Sequence, residues 1–568
     1  MYSNKENVNV LTSLLVAHGV RHVVVCPGSR NAAIVNNLNE CKQITCYPVT
    51  DERSAGFQAM GLSMSVGYQP VVVCVTSGSA LLNLYPAVAE AYYQHIPLVA
   101  IAADRPAQWI GQLDGQTLPQ PDALGRMVRK AVSLPEWQEG ERQEEIHWYC
   151  NRLVNEALLA SMGRVKGPVL INVPISEPFY QFPMEELPKE RVILRRGISR
   201  DAQGLDEEIV GLCKRFKRPL MVVGQLGNDA DFEKIFSCGK QLPILCEPLA
   251  MPTHMAEDVC PDVKFYGNFE WVLDQVKDDE RYRPDLIIYI GGHIVSKRLK
   301  AYLRSLEDVY QIRFSEETCL EDTFMHLSTV FECPTEDVSI LVNYMSQLHD
   351  FIPYRELWMK ALAENKNYTE AYSPVYSSML AVKSLCGAFV QDEEKLKNSS
   401  IFAGNSSTIR LMNLYANRHV YCNRGVNGIE GSLSAAVGFS MNQTSDQKVY
   451  CVLGDLSFFY DQNALWNQNL RGNLRILMLN NRGGAIFGKF EGLKTSKARG
   501  KLVMACHQVT SEGICLQNHV TYMAAHQQEE MEEGIKRLLT EESDRPMLLE
   551  VFTDIDIDNQ VLTEYFNH

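Results

Sequence analysis

The chain has 568 residues, 46% hydrophobic and 22% charged, with a formal net charge of −15 from 54 basic and 69 acidic side chains. That length leads to an expectation of about three or four domains, and the composition suits an α/β protein with cores of normal size. The acidic balance argues against a general nucleic-acid or anionic-membrane surface, though not against local basic pockets.

Residues 1–182 read as one α/β unit. A helix at about Val8–His18 leads to a strand His22–Cys26, which ends in Pro27-Gly28-Ser29-Arg30, and a new helix opens at about Asn31. A second strand, Ile44–Val49, ends in Thr50-Asp51-Glu52-Arg53 and passes into a helix of small residues, Ala55, Gly56, Ala59 and Gly61. A third strand, Val71–Thr76, ends in Ser77-Gly78-Ser79, and Leu81, Leu84, Val88 and Ala91 follow at helical spacing. A fourth, Leu98–Ala102, ends in Ala103-Asp104-Arg105, before a loop through Gly115-Gln116 and a last strand Val169–Val173. Strands alternating with helices predict a doubly wound parallel sheet. The largely charged stretch 183–197 reads as a linker. A second unit, 198–350, shows strands Leu220–Val223, Ile244–Cys246, Leu286–Ile290 and about Val309–Phe314, with Gly291 to Arg298 at a strand end and no phosphate-loop fingerprint. Residues 350–375 read as a second linker. The third unit, 376–568, has strands Ser400–Ala403 and His419–Tyr421, and closes on Met547–Phe552. Gly-Pro-Val-Leu-Ile-Asn-Val near 170 and Arg-Pro-Met-Leu-Leu-Glu-Val near 549 hint at two related domains flanking a third. The expected architecture is therefore three doubly wound parallel-sheet α/β domains.

The most informative stretch is Lys448–Phe487. An apolar strand Val449–Leu453 stops at Gly454-Asp455, a helical stretch spans roughly Ser457–Leu470, and a second apolar strand Leu474–Leu479 ends in Asn480-Asn481-Arg482-Gly483-Gly484. In open α/β sheets the carboxyl edge is where ligands sit. Asp455, Asn481 and a glycine turn that can expose carbonyls offer hard oxygen donors, suited to Mg²⁺ or Ca²⁺. So few protein oxygens leave shell positions for phosphate and water, which points to a Mg²⁺-diphosphate site. An Asp capping a helix beside an Asn-rich turn is the plainer alternative. Glu52, likewise, can be a first-turn acid favoured by the helix dipole. The 16 cysteines include no CxxC pair, and Cys26, Cys74 and Cys451 lie in or beside apolar strands, as expected of buried thiols in a reducing compartment. No apolar run approaches the roughly 18 residues that cross a bilayer. The start MYSNKENVNV lacks the pattern of a signal peptide. A cytoplasmic protein without an integral membrane segment is expected.

Taken together, CPGSRNAAI (26–34), TDERSAGFQAMGLS (50–63), TSGSALLNLYPAVAEA (76–91), ADRPAQW (103–109), AGNSSTIR (403–410), NRGVNGIEGSLS (423–434), GDLSFFYDQNAL (454–465) and NNRGGAIF (480–487) resemble the thiamine diphosphate-dependent decarboxylase superfamily. Within it the chain is similar to the 2-succinyl-5-enolpyruvyl-6-hydroxy-3-cyclohexene-1-carboxylate synthases of menaquinone biosynthesis, and Gly-Asp-Leu-Ser in place of Gly-Asp-Gly marks that branch. The resemblance implies thiamine diphosphate and Mg²⁺ (Mn²⁺ as an alternative), with 1–182 on the pyrimidine side and 376–568 on the diphosphate side. It implies a transferase that decarboxylates 2-oxoglutarate and adds the resulting carbanion to isochorismate. Asp455, Asn481 and the Gly483 carbonyl would bind the metal, Glu52 would contact N1′ of the aminopyrimidine, and Ile429 would be the wedge beneath the bent cofactor. A Glu that shares a proton at pH 7 needs burial to raise its pKa. Ser406, Arg410 and Arg424 would face the distal carboxylate of the donor. Ser29, Arg30, Arg105, Gln116 and Lys297 would face isochorismate, and Ile486 and Phe487 would form an apolar wall. Arginine suits such dicarboxylates because its fork grips a carboxylate with two hydrogen bonds. The implied assembly is a homodimer or dimer of dimers with sites at the subunit interface. Two departures from the pattern stand out: Gly115 where Asn is expected, and Ser296 where Gly is expected. The alternatives are another thiamine diphosphate enzyme acting on a small 2-oxoacid, and a non-catalytic cofactor-binding regulator on the same fold.

Overall fold

The computed structural model describes residues 1–567 apart from 137–142, 179, 195–210, 253–266, 318, 490–491 and 493–494. Three sheets organise it, and every strand pair in them is parallel. The first contains β1 (His22–Val25), β2 (Thr45–Pro48), β3 (Val71–Val75), β4 (Leu98–Asp104), β5 (Lys130–Ser133) and β6 (Val169–Pro174), in the order β2-β1-β3-β4-β6-β5. The second contains β7 (Pro219–Val223), β8 (Ile244–Cys246), β9 (Leu286–Ile290), β10 (Tyr310–Phe314) and β11 (Leu327–Phe331), in the order β11-β10-β9-β7-β8. The third contains β12 (Ser400–Ala403), β13 (Val420–Tyr421), β14 (Val449–Gly454), β15 (Leu474–Asn480), β16 (Thr521–Ala525) and β17 (Met547–Phe552), in the order β13-β12-β14-β15-β17-β16. The first and third sheets thus share one topology, strand for strand, and the weak repeat between residues near 170 and near 549 falls on the equivalent strands β6 and β17.

Central strands are apolar because helices cover both faces. β3, β9 and β15 are buried along their whole length. The sequence reading lacks three strands, β5, β11 and β16, and each lies at a sheet edge, where side chains are only partly covered. Two further expectations need correcting. Residues 350–375, expected as a linker, hold a 20-residue helix, Ile352–Ala371. It buries Tyr354, Trp358, Ala361 and Leu362 in the central core and reaches the C-terminal helix, where Thr369 and Tyr565 share a hydroxyl hydrogen bond of 2.6 Å. The helix expected over roughly Ser457–Leu470 instead runs Asp455–Tyr460 and gives way to a 3₁₀ turn, Gln462–Leu465. Residues 183–194 of the first linker have no regular helix or strand, and 195–197 lie outside the described residues.

The outer sheets meet directly. Helix Glu52–Ser65 crosses helix Ser432–Met441 so closely that a Cβ on Gly61 would stand 1.9 Å from the Ala435 carbonyl oxygen. One on Gly438 would stand 1.9 Å from that of Gln58. Only glycine lets two backbones approach like this, and one apolar core runs through both helices and both sheets. The crossing settles the position of Glu52, which begins the first of these helices.

Candidate active site

Both outer sheets reverse strand order between their first and third strands, and that switch point is where α/β sheets open a crevice at their carboxyl ends. In the third sheet the crevice lies between Gly404-Asn405-Ser406, after β12, and Asp455, after β14. Asp455 is 3% exposed. One carboxylate oxygen accepts the Leu456 N–H at 2.6 Å, the other the Gly483 N–H at 2.9 Å, and His507 Nε2 lies 3.3 Å from the latter. Asn481 donates through Nδ2 to Asp558 at 2.9 Å, which leaves its carbonyl end facing away from that carboxylate. Asp558 is itself held by the Ser378 N–H and hydroxyl and by the Thr553 hydroxyl, and burial raises its pKa. The glycine turn is clamped from behind: Gly484 N–H donates to Met504 O at 2.7 Å, and His507 N–H to Arg482 O at 3.1 Å.

These residues fit a hard divalent cation bound together with a diphosphate. Asp455 supplies a buried carboxylate, Asn481 an oriented amide oxygen and Gly483 a carbonyl at the same turn, and hard oxygens suit Mg²⁺. Among the described residues no group of three or more His, Cys, Asp or Glu side chains could hold a metal.

Glu52 begins its helix after Asp51, whose side chain caps Ser54 N–H at 3.1 Å and accepts from Asn463 at 2.7 Å. Arg53 donates to Tyr460 O at 2.8 Å. Glu52 is thus flanked on both sides by contacts to the segment after Asp455. Its own carboxylate accepts from the exposed Asn83 at 3.1 Å. The single chain leaves Glu52 only half-buried, so the full burial expected for a proton-sharing acid is not supplied within one subunit. Ile429 is 36% exposed and is therefore not part of the core. Ile486 is half-buried and Phe487 exposed, in the turn Ala485–Lys489 beside the C-terminal helix.

Two groups of cations flank this edge. In the first sheet Arg30 is buried and donates to Ile175 O at 2.9 Å, and burial together with Arg105 lowers its pKa. Arg105 donates to Gly115 O at 2.9 Å and pairs with Asp114 at 3.1 Å. Exposed Gln116 has φ +55° and packs under Gly78, and Ser29 is exposed beside Arg30. At Gly115 the loop is held by the side chains of Arg105, on the carbonyl, and Asp114, whose Oδ1 accepts the N–H at 3.0 Å. In the third sheet Arg410 donates to Ser406 O at 2.7 Å, and Ser406 has φ +70°. Arg424 donates to Asn405 Oδ1 at 2.8 Å, while its buried Nε finds no partner among the described residues. Burial and the neighbouring Arg424 lower the pKa of Arg410; burial also lowers those of His293 and Lys300, which face Arg424 as well. Desolvated cations crowded in this way favour an anion between them. Lys297 is exposed at the start of helix Lys297–Arg304 in the central unit, and Ser296 is its N-cap, accepting Leu299 N–H at 2.9 Å.

Several supporting residues escaped the sequence reading. Asp558 and His507 are far along the chain and carry no motif. Asn405 lies inside a quoted segment and holds Arg424, and its Nδ2 bonds to Asn423 O and Gly428 O at 2.6 Å tie down the loop bearing Ile429. Glu90 reaches from the first unit to accept Gly425 and Val426 N–H at 2.6 and 2.7 Å. A signal existed for Asn405, as the polar residue following a strand-end glycine, and for Glu90, which lies inside the segment 76–91.

Comparison with known proteins agrees with this layout. Residues 6–125 match the family model described as thiamine pyrophosphate enzyme, N-terminal TPP binding domain, and residues 403–551 the corresponding C-terminal TPP binding domain. The chain is 43% identical to a 2-succinyl-5-enolpyruvyl-6-hydroxy-3-cyclohexene-1-carboxylate synthase of Phocaeicola vulgatus, over 100% of this chain and 99% of the relative. It is 42% identical to the synthase of that name from Bacteroides thetaiotaomicron, with the same coverage. It is 34% identical to the one from Desulfotalea psychrophila, over 97% of this chain and 98% of the relative. With likeness over its whole length and both cofactor-binding domains in place, the chain belongs to the 2-succinyl-5-enolpyruvyl-6-hydroxy-3-cyclohexene-1-carboxylate synthase family of thiamine diphosphate enzymes.

Proposed function

We propose that this enzyme decarboxylates 2-oxoglutarate and joins the remaining four-carbon unit to isochorismate, giving 2-succinyl-5-enolpyruvyl-6-hydroxy-3-cyclohexene-1-carboxylate and CO₂ in menaquinone biosynthesis. The observation that carries this reading is one chain, up to 43% identical to such synthases over its full length, that keeps Glu52 on one sheet and Asp455, Asn481 and Gly483 on the other. Thiamine diphosphate, when bound, supplies the nucleophilic carbon and the electron sink for decarboxylation. The protein does the rest. Asp455, Asn481 and Gly483 hold Mg²⁺ against the diphosphate, Mn²⁺ being the alternative ion. Glu52 holds a proton at the aminopyrimidine. Ile429 wedges the cofactor, and Ile486 and Phe487 exclude water. Ser406, Arg410 and Arg424 bind the distal carboxylate of 2-oxoglutarate. Ser29, Arg30, Arg105, Gln116 and Lys297 bind the carboxylates of isochorismate. A decarboxylase of small apolar 2-oxoacids needs no second carboxylate clamp, and the desolvated Arg410 and Arg424 therefore favour the dicarboxylate.

The working unit is a homodimer or a dimer of such dimers. Leu82, Tyr85, Val426, Ile429, Tyr460 and Trp466, each at least 36% exposed, lie on segments around Glu52 and the wedge. A second copy covering them would also bury Glu52. The domains are taken as 1–182, 198–350 and 376–568. Among the described residues no helix is long and apolar enough to cross a membrane. The described cysteines are free thiols, in keeping with a reducing, cytoplasmic setting.

The test is CO₂ release from 2-oxoglutarate with thiamine diphosphate and Mg²⁺, with and without isochorismate. Steady turnover only with isochorismate, and a new cyclohexene product by mass, is the expected result. Release indifferent to isochorismate would make the enzyme a plain decarboxylase. No release despite cofactor binding would require a different donor or a regulatory role.

A further inference from the structure

Glu247 follows β8 in the central unit and is 1% exposed. Its two carboxylate oxygens accept three hydrogen bonds from two different units. Val295 and Ser296 N–H donate to it at 2.7 and 2.6 Å. Asn413 Nδ2, in helix Ser407–Tyr415 of the third sheet, donates at 3.1 Å. The first two bonds secure the backbone immediately before Lys297, where Ser296 caps the helix. The third grips the helix that carries Arg410, one turn away on the same element. All three partners are donors, so only an acceptor with two free oxygens satisfies the junction, and Gln in its place would set one amide N–H₂ against a donor. The carboxylate also faces Arg410, Arg424 and Lys300 as a counter-charge, and Glu270 lies beside it as a like charge.

We propose that Glu247 is a positioning residue: one buried carboxylate sets the acceptor-side helix start at Lys297 and the donor-side helix bearing Arg410 in register. The proposal rests on the reading of Lys297 and Arg410 as substrate-binding residues. At this position Ser296 gives its backbone N–H to Glu247, and its hydroxyl caps the following helix.

Steady-state kinetics of the cofactor-loaded enzyme test it. Glu247→Gln should raise KM for both substrates by about tenfold, the effect of one charge-assisted hydrogen bond, with kcat within about threefold of the parent. Asn413→Ala keeps the charge and cuts only the cross-unit bond, so it should weaken the donor substrate alone, raising the 2-oxoglutarate KM and leaving the isochorismate KM in place. Thermal midpoints of both variants separate this split from a general loss of folding. Unchanged KM values in Glu247→Gln, or a lowered donor-substrate KM as expected of a mere counter-charge, would overturn the proposal. So would a fall confined to kcat and thermal midpoint. Arg410→Ala and Lys297→Ala serve as references. If they raise KM and Glu247→Gln does not, the positioning role alone is wrong. If they leave KM unchanged, the substrate-site reading fails, and the proposal with it.

Discussion

The first and third sheets have the same strand order but end equivalent strands in different chemistry. Where β2 runs into Asp51-Glu52, its counterpart β13 runs into Asn423-Arg424. Where β3 ends in the small residues Ser77-Gly78-Ser79, β14 ends in the buried carboxylate Asp455. Where β4 ends in Asp104-Arg105, β15 ends in Asn480-Asn481. The scaffold supplies position and the strand-end residue supplies the reaction. On the proposed reading, two sheets of one topology are divided into an acid-bearing half and a metal-binding half, and the glycine-mediated helix crossing holds the two together. The central sheet, in the order 2-1-3-4-5 read from β8, shares the doubly wound logic, and its proposed contribution runs through Lys297 and Glu247.

That division can be broken at four points of decreasing effect. Glu52→Gln removes the carboxyl that the acid-bearing half is proposed to offer to the cofactor. It should lower kcat by roughly 10²- to 10⁴-fold with cofactor binding retained, as followed by fluorescence or calorimetry. Near-normal turnover in the loaded variant would sink the assignment. Gly438→Ala forces a methyl against the Gln58 carbonyl oxygen at 1.9 Å and pries the halves apart. A destabilisation of about 3 kcal/mol or more is expected from such overpacking, read as a denaturant midpoint, and an unchanged midpoint would mean that the crossing does not hold the halves. Asp558→Ala acts on the metal-binding half alone. Without its anchor Asn481 loses its orientation, and the Mg²⁺ concentration for half-maximal activity should rise about 10- to 100-fold. A parallel loss in Glu52-side properties, with Mg²⁺ demand unchanged, would contradict the division.

The smallest effect is on pH dependence. Burial pushes Asp461, bonded to Ser434, up from 3.8 to about 6. Between the ordinary and raised values the folded chain retains a proton that the unfolded chain has released. Its stability contribution is complete below the ordinary value and is lost as pH rises through 6. The group gives at most about 1.4 kcal/mol per pH unit. Asp461→Asn should therefore flatten the fall in unfolding free energy over that window, and a slope identical to the parent's would remove this group as its source.

Much of the fold and of the candidate site is legible in the chain alone. Central strands such as β3, β9 and β15 announce themselves because burial on both faces demands continuous apolar residues. The site residues at their carboxyl ends are legible because they directly follow those runs. The edge strands β5, β11 and β16 are not: half-covered, they tolerate Lys130, Ser328 and Thr521, and their sequences carry no clear signal. Helix Ile352–Ala371 is equally hidden, since its buried face is spread among charged residues and joins two units at once.

The sequence by itself determined the parallel α/β class and the family, and it marked Asp455, Asn481 and Gly483 as candidate metal donors, because each depends on residues close in the chain. Only the tertiary structure decided that the outer sheets are topological twins and that they meet at Gly61 and Gly438. It alone showed Asp558 orienting Asn481, and Glu247 joining Lys297 to the Arg410 helix. Those relations depend on distances of an ångström or two between segments far apart in the chain. Such contacts are set by packing against the core and leave no periodic trace in the sequence.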